Sequence, residues 1–161
     1  MKLCVIRHAE AVPLGAENAS RDEDRYLTSA GHASCAALAE ALLRVGARPT
    51  HILSSPLVRA RQTAAGLAAA WGEPAPFFAE SKMLAPGARK RPLAEELNAL
   101  HADCLAVVGH NPDLSELVGW LIGSKYIGIS LEKSGAALIE FDGPVAKSAG
   151  HLEWLITPAW I

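Results

Sequence analysis

The stretch Lys2-Leu3-Cys4-Val5-Ile6-Arg7-His8-Ala9-Glu10-Ala11 decides the reading of this chain. After Lys2, the run to Ile6 is apolar on both faces, as a central parallel strand requires. It meets charge abruptly at Arg7-His8. Ligands of open α/β sheets bind outside the carboxyl ends of the strands, so a strand ending this way delivers an arginine and a histidine to a ligand site. Two other runs end comparably. His51-Ile52-Leu53 leads into Ser54-Ser55-Pro56, and Cys104-Leu105-Ala106-Val107-Val108 leads into Gly109-His110-Asn111.

Helical stretches separate these runs. Residues 9–26 are polar and read as a loop, after which Thr28 is placed as the N-cap of a helix reaching Val45, with Leu38, Leu42, Leu43 and Val45 on its packing side. Gly46 and Pro49 end it. Ser55 is the expected N-cap of a second helix, residues 57–71, with Pro56 at its first position. A short strand is expected at 77–79, a loop at 83–92 with Arg89-Lys90-Arg91 in solvent, and a third helix at 93–101. The last helix is opened by Pro112 and Asp113 and runs to Ile122. Late strands at 136–141 and 152–156 complete the sheet. This alternation predicts an α/β protein, a three-layer α/β/α sandwich with a mostly parallel central sheet, as one domain over residues 1–161.

Composition narrows the function classes. The chain has 161 residues, 50% hydrophobic and 20% charged, and a chain of this size hides about 70% of its unfolded surface. Such a composition excludes disorder as the main description. Fifteen Lys and Arg against seventeen Asp and Glu give a net charge of −2, which argues against a broad nucleic-acid footprint. No run approaches the roughly 18 apolar residues of a membrane span, and the charge at Arg7 interrupts any signal-peptide core. Cys4, Cys35 and Cys104 share no metal-like spacing and sit among apolar neighbours, so they read as small buried residues of a reducing compartment. The expectation is a soluble cytoplasmic monomer that engages neither nucleic acid nor membrane.

The residues gathered at the sheet edge suggest a chemistry. Arg7 and Arg59 offer rigid forks of donors matched to phosphate oxygens, with no carboxylate evident beside them. A helix N-terminus after Ser55 would add peptide N–H groups. Neutral histidine is a competent nucleophile once an anionic substrate is screened. Phosphoryl transfer needs mainly positioning and cationic stabilisation, so His8 ringed by Arg7, Arg59 and His110 meets the requirement without metal or cofactor. Arg61, two residues along the helix from Arg59, should point elsewhere.

Other residues carry weaker readings. Arg25 is a candidate for the phosphate or for a substrate carboxylate. Glu10 and Asp24 either orient an arginine or sit in a solvated loop. His32, His51, His101 and His151 read as surface or capping residues, and Trp71, Trp120 and Trp154 as packing. His8-Ala9-Glu10 matches half of a zinc deaminase signature, but no Pro-Cys-x-x-Cys follows. Walker loop, nucleophile elbow and dinucleotide fingerprint are missing from the sequence.

Four segments carry a family resemblance, and they stand in the family's order. Leu3-Cys4-Val5-Ile6-Arg7-His8-Ala9 resembles the Arg-His-Gly signature of the histidine phosphatase, or phosphoglycerate-mutase-like, superfamily. Leu27-Thr28-Ser29-Ala30-Gly31 resembles its Leu-Thr-x-x-Gly helix start. Ser54 to Ala64 resembles its Ser-x-x-x-x-Arg-Ala-x-Gln-Thr motif, and Val108-Gly109-His110-Asn111-Pro112 its second-histidine motif. The small size, Asp24-Arg25 and Leu84-Ala85-Pro86-Gly87 are most similar to SixA-type phosphohistidine phosphatases. The resemblance implies that His8 forms a phosphohistidine intermediate, that Arg7, Arg59 and His110 hold the phosphoryl group, and that water then releases inorganic phosphate.

Two departures matter. Ala9 stands where the family has glycine, so the backbone there must avoid glycine-only dihedrals. Pro86 stands where mutases and many ester phosphatases carry an acidic proton donor, two residues after the leucine matched by Leu84; Glu80 is the nearby carboxylate. An alkoxide leaving group needs a delivered proton, whereas imidazole, with a conjugate-acid pKa of about 6.5, leaves far more readily. The implied substrate is therefore a His-phosphorylated signalling or phosphotransfer protein. The alternatives are a small-molecule phosphomonoesterase on the same scaffold and a catalytically poor phosphate-binding regulatory module. The intact Arg7, His8, Arg59 and His110 speak against the second.

Overall fold

The structure, a computed structural model, describes residues 1–87, 89–124 and 128–161, and its centre is the strand that opens the chain. Strand β1 (Lys2–Arg7) buries Leu3, Cys4, Val5 and Ile6 completely, each large apolar side chain contributing about 1.5–3 kcal/mol. The alternation of a strand sorts them into two layers. Cys4 and Ile6 pack into one apolar cluster with helices α1 (Ser29–Arg44) and α2 (Val58–Trp71). Leu3 and Val5 pack into the other with α3 (Lys90–Asn98) and α4 (Asp113–Leu121). The result is the expected α/β/α sandwich.

The sheet has six strands in the order β3-β2-β4-β1-β5-β6. Here β2 is His51–Ser54, β3 Phe77–Glu80, β4 Cys104–Gly109, β5 Ala136–Phe141 and β6 Gly150–Ile156. The first four strands in that order pair in parallel and the last two antiparallel. Register then sets the site. Arg7 lies opposite Gly109 and Ser54 opposite Val108, so the carboxyl ends of β1, β2 and β4 finish level. The ladder continues one step past the strands. The His8 N–H donates to the Gly109 carbonyl at 3.1 Å and the Ser55 N–H to the Val108 carbonyl at 2.8 Å.

The helices follow the sequence reading with three corrections. In α1 the Thr28 hydroxyl caps as expected, accepting from the Gly31 N–H at 2.9 Å. Its packing stripe, however, is Gly31, Cys35, Leu38 and Leu42. Leu43 and Val45 fall off that stripe and are 40% and 47% exposed. Helix α2 starts at Val58 with Leu57 as its extended N-cap, not at a Ser55 cap; the Ser55 hydroxyl accepts from the Leu57 N–H at 3.4 Å and lies 2.8 Å from His110 Nε2. Helix α3 starts at Lys90, so Arg89-Lys90-Arg91 opens a helix and Lys90 pairs with Glu116 at 2.7 Å. Pro92 fits in that first turn, whose N–H groups have no intrahelical acceptor. The helix ends at Asn98, and His101 follows with φ 47°.

The polar segment between β1 and α1 is pinned close to α1. The Thr28 N–H donates to the Glu10 carbonyl at 3.0 Å and the Thr28 hydroxyl to the Glu10 carboxylate at 2.8 Å. A Cβ added at Gly31 would overlap the Glu10 carbonyl, which gives the glycine of Leu27-Thr28-Ser29-Ala30-Gly31 its steric reason. Within this segment, Asp22–Asp24 forms a single 3-10 turn.

Candidate active site

His8 follows β1 directly and is buried. Its Nδ1 lies 2.7 Å from the Ala9 carbonyl; a carbonyl only accepts, so Nδ1 carries the proton and Nε2 the lone pair. Ala9 itself is buried without a positive φ, so the alanine occupies the glycine position unstrained. The Ala9 N–H donates to the Thr63 hydroxyl at 3.0 Å, and that hydroxyl donates to the Arg59 carbonyl at 2.8 Å. Burial lowers the His8 pKa to about 4. The Ala9 hydrogen bond opposes the shift, and the charges of Arg59, Arg7 and Arg25 reinforce it. At neutral pH His8 is therefore an uncharged base whose lone pair lies on Nε2.

Arg59, the second residue of α2, is buried and donates from Nε to His8 Nε2 at 3.2 Å. Its terminal nitrogens are also engaged: Nη1 donates to the Asp22 carbonyl at 2.6 Å and Nη2 to the Asp22 carboxylate at 2.8 Å. The expected lack of a carboxylate beside Arg59 is thus corrected, since the 3-10 turn brings Asp22 across. Arg7, at the end of β1, donates from Nη1 to the Leu131 carbonyl at 2.9 Å. Burial lowers its pKa, partly offset by the nearby Glu132, and its Nε is buried without a hydrogen-bond partner.

His110, one residue beyond β4, completes the group. Its ring centroid is 5.0 Å from that of His8. Nε2 lies 2.8 Å from the Ser55 hydroxyl, while Nδ1 is buried with no partner. Burial, then His8 and Arg59, lower the His110 pKa to about 3, with Asp22 opposing. If Ser55 donates to Nε2, Nδ1–H is left as a free donor, the role an anion beside Arg7 and Arg59 calls for. Asn111 is tied to the same wall, its Nδ2 donating to the Leu131 carbonyl at 2.8 Å. The orphaned Arg7 Nε and His110 Nδ1 fit an anionic guest, because buried donors are rarely left unpaired.

The remaining motif residues scaffold this group. Gln62 accepts from the Leu27 N–H at 2.7 Å, linking α2 to the polar segment. Arg61 points away as expected and pairs with Glu80 at 3.4 Å, so Glu80 is engaged at the edge of the sheet. Arg25 donates from Nε to the Val12 carbonyl at 2.7 Å and from Nη1 to Asp22 at 3.0 Å. Glu10 holds Thr28 and Asp24 holds Arg21, so neither orients Arg7 or Arg25. Asp22 and Ser55 contact this group, by way of Arg59 and His110, and sequence reasoning did not place them there. The only local signal for Asp22 was its spacing of three residues before Arg25.

Among the described residues, no group of three or more His, Cys, Asp or Glu side chains is placed to hold a metal ion. Among them, too, no helix is long and apolar enough to cross a membrane.

Comparison with known proteins agrees with this geometry. The model of the histidine phosphatase superfamily (branch 1) matches residues 3–82. An uncharacterised protein of Picosynechococcus sp. is 36% identical over 172 residues, covering 100% of this chain and 99% of the relative. The structure of the protein histidine phosphatase SixA complexed with tungstate is similar in fold, with TM-score 0.83 at 22% identity over 99% of this chain and 98% of that one. A mycobacterial glucosyl-3-phosphoglycerate phosphatase has TM-score 0.68 at 20% identity over 94% and 96%. This chain belongs to the histidine phosphatase superfamily, and phosphatase is the activity class that its histidine, flanked by two arginines, fits.

Proposed function

We propose that this member of the histidine phosphatase superfamily hydrolyses phosphohistidine on a signalling or phosphotransfer protein. His8 Nε2 attacks phosphorus as the bond from phosphorus to the substrate imidazole breaks; that imidazole, protonated on its other ring nitrogen, takes the bonding pair and departs neutral. Water then attacks the phosphoryl group on His8, releasing inorganic phosphate and restoring the neutral ring. Arg7, Arg59 and His110 donate to the phosphoryl oxygens, where charge is held through the transition state. The reaction so written uses no metal. Its partner is a phosphorylated protein, with neither nucleic acid nor membrane involved, and the enzyme acts as a cytoplasmic monomer.

One observation carries the substrate choice: the two carboxyl groups that are candidates for the acid, Glu80 and Asp22, are poorly suited to deliver a proton. Pro86 occupies the expected acid position, and Glu80 is turned to Arg61. Burial would raise the Asp22 carboxyl, but hydrogen bonds from Arg25 and Arg59 outweigh it and hold the group below the usual carboxylate range. An ionised carboxylate cannot protonate an alkoxide, whereas imidazole needs far less help to leave.

The test compares phosphate release from a phosphohistidine protein and from an alkyl phosphomonoester, with His8→Ala as control. A strong preference for the P–N substrate, abolished in His8→Ala, is expected. Faster ester hydrolysis dependent on His8 would instead favour a small-molecule phosphomonoesterase.

A further inference from the structure

We infer that Asp22 is the positioning residue of Arg59, holding both terminal guanidinium nitrogens so that Nε faces the nucleophilic nitrogen of His8. This rests on the reading of His8 as nucleophile and adds a residue to it. Three nitrogens of one planar group meet three separate acceptors: the Asp22 carbonyl at 2.6 Å, the Asp22 carboxylate at 2.8 Å and His8 Nε2 at 3.2 Å. Three such contacts fix both the plane of the guanidinium and its rotation within that plane. The Arg59 side chain is 5% exposed and Asp22 51%, so the acid is the partner open to solvent, and it is itself tied down. Arg25 donates to its other carboxylate oxygen at 3.0 Å and to the Val12 carbonyl at 2.7 Å.

The consequence follows the reaction. When phosphorus bonds to His8 Nε2, the Arg59 Nε–H loses its acceptor and already lies beside the new phosphoryl group. Two further N–H bonds remain on the terminal nitrogens, since a guanidinium has five and Asp22 takes two. Arg59 can therefore take up the phosphoryl oxygens while Asp22 still holds it, and for a donor set in advance the reorganisation is confined to giving up the one hydrogen bond to His8. The Asp22 charge also offsets part of the cationic field, so it does not tighten the hold on a ground-state phosphate. Its benefit falls on the rate of transfer.

That division is measurable with para-nitrophenyl phosphate as probe. Asp22→Asn is expected to lower kcat about tenfold, less than the 10²–10³-fold typical of deleting a donor outright, with KM unchanged or lower. In an Arg59→Ala background the same substitution should cause no further loss. A rise in KM with kcat kept, or an equal loss with and without Arg59, would overturn the inference. So would a lower KM with unchanged kcat, which would make Asp22 a mere competitor for the anion site.

A second readout needs no turnover. The Arg59 Nε–H resonance of the wild type should be protected from solvent exchange, and it should broaden or vanish in Asp22→Asn and Asp22→Ala. An unchanged resonance in a folded variant would sink the proposal. Failure of wild-type phosphate release, with this resonance behaving as expected, would count against the proposed reaction and leave the positioning role in place.

Discussion

Arg7 and Arg59 bring the same guanidinium towards one histidine and are held by opposite means. Arg7 stands at the end of β1, is tied at Nη1 to the Leu131 carbonyl, and keeps a buried Nε without partner. Arg59 stands on α2 with all three nitrogens engaged, two by Asp22 and one by His8. One arginine waits for an anion to complete it; the other is complete beforehand. A buried charge stripped of its counter-charge is strongly destabilising, so the side chain nearest His8 is the one given a carboxylate. The half-buried Arg7 is held by a backbone carbonyl and feels Glu132 only through its charge.

The largest expected effect breaks this comparison by deletion. Arg59→Ala removes a donor and leaves the Asp22 carboxylate, now held by Arg25 alone, facing an anionic substrate, so the site loses a cation and keeps a repelling charge. A loss in kcat/KM of about 10³-fold or more is expected, against about 10²-fold for Arg7→Ala, bracketing the usual cost of a transition-state donor. Steady-state kinetics of the two variants decide it. Equal losses would show that the anchoring difference carries no catalytic weight.

Next in size is Gly31→Ala, which acts on one side only. The added methyl would overlap the Glu10 carbonyl and push away the segment that carries Asp22, while the Leu131 tether of Arg7 is untouched. Overpacking of this kind costs about 1–3 kcal/mol, readable by chemical denaturation. Activity should fall in step with Asp22→Asn. A variant of wild-type stability would show that the close approach at Gly31 is easily relaxed.

Ser55→Ala should cost activity to a similar extent without the loss of stability. It frees His110 Nε2, so the proton can sit on either ring nitrogen and the donor at Nδ1 is present only part of the time. About a tenfold loss in kcat/KM is expected, less than for either arginine. Ser55→Thr, which keeps the hydroxyl, should restore much of it. Full activity in Ser55→Ala would remove the serine from the mechanism.

These effects divide along the line between what the sequence makes legible and what it hides. The apolar runs of β1, β2 and β4 announce themselves locally, and level strand ends follow from parallel pairing, so Arg7, His8 and His110 are readable at the sheet edge. Ser55 misleads because Ser-Pro before a helix is good capping chemistry; beside its local contact with the Leu57 N–H it meets His110, which is 55 residues distant and comes near only once β2 and β4 pair. Pro92 misleads similarly, reading as a loop residue when it occupies a first helical turn. Asp22 is hidden for a different reason. Residues 9–26 have no hydrophobic period, so beyond the three-residue spacing to Arg25 nothing local says which of several acids turns inward.

The smallest effect, on pH, compares the arginines through the field each exerts on His8. Burial first, and then the charges of Arg59 and Arg7 in that order, lower the His8 pKa from 6.5 to about 4. The acid limb of kcat/KM, corrected for substrate ionisation, should therefore lie near pH 4. A neighbouring cation disfavours imidazolium, so removing one raises the pKa and moves the limb towards 6.5. The move should be larger in Arg59→Ala than in Arg7→Ala. Stability carries the same sign. Between the folded value near 4 and the unfolded value near 6.5, the unfolded chain binds more protons, so stability is lost as pH falls through that window. His110, lowered to about 3, extends the loss to lower pH. Thermal melts of wild type and His8→Gln should converge as pH falls from 6.5 to 4, because only the wild type must keep a titratable ring neutral at position 8. Parallel melts across that range would mean that His8 is as readily protonated folded as unfolded, and the arginines would then exert no field on it worth comparing.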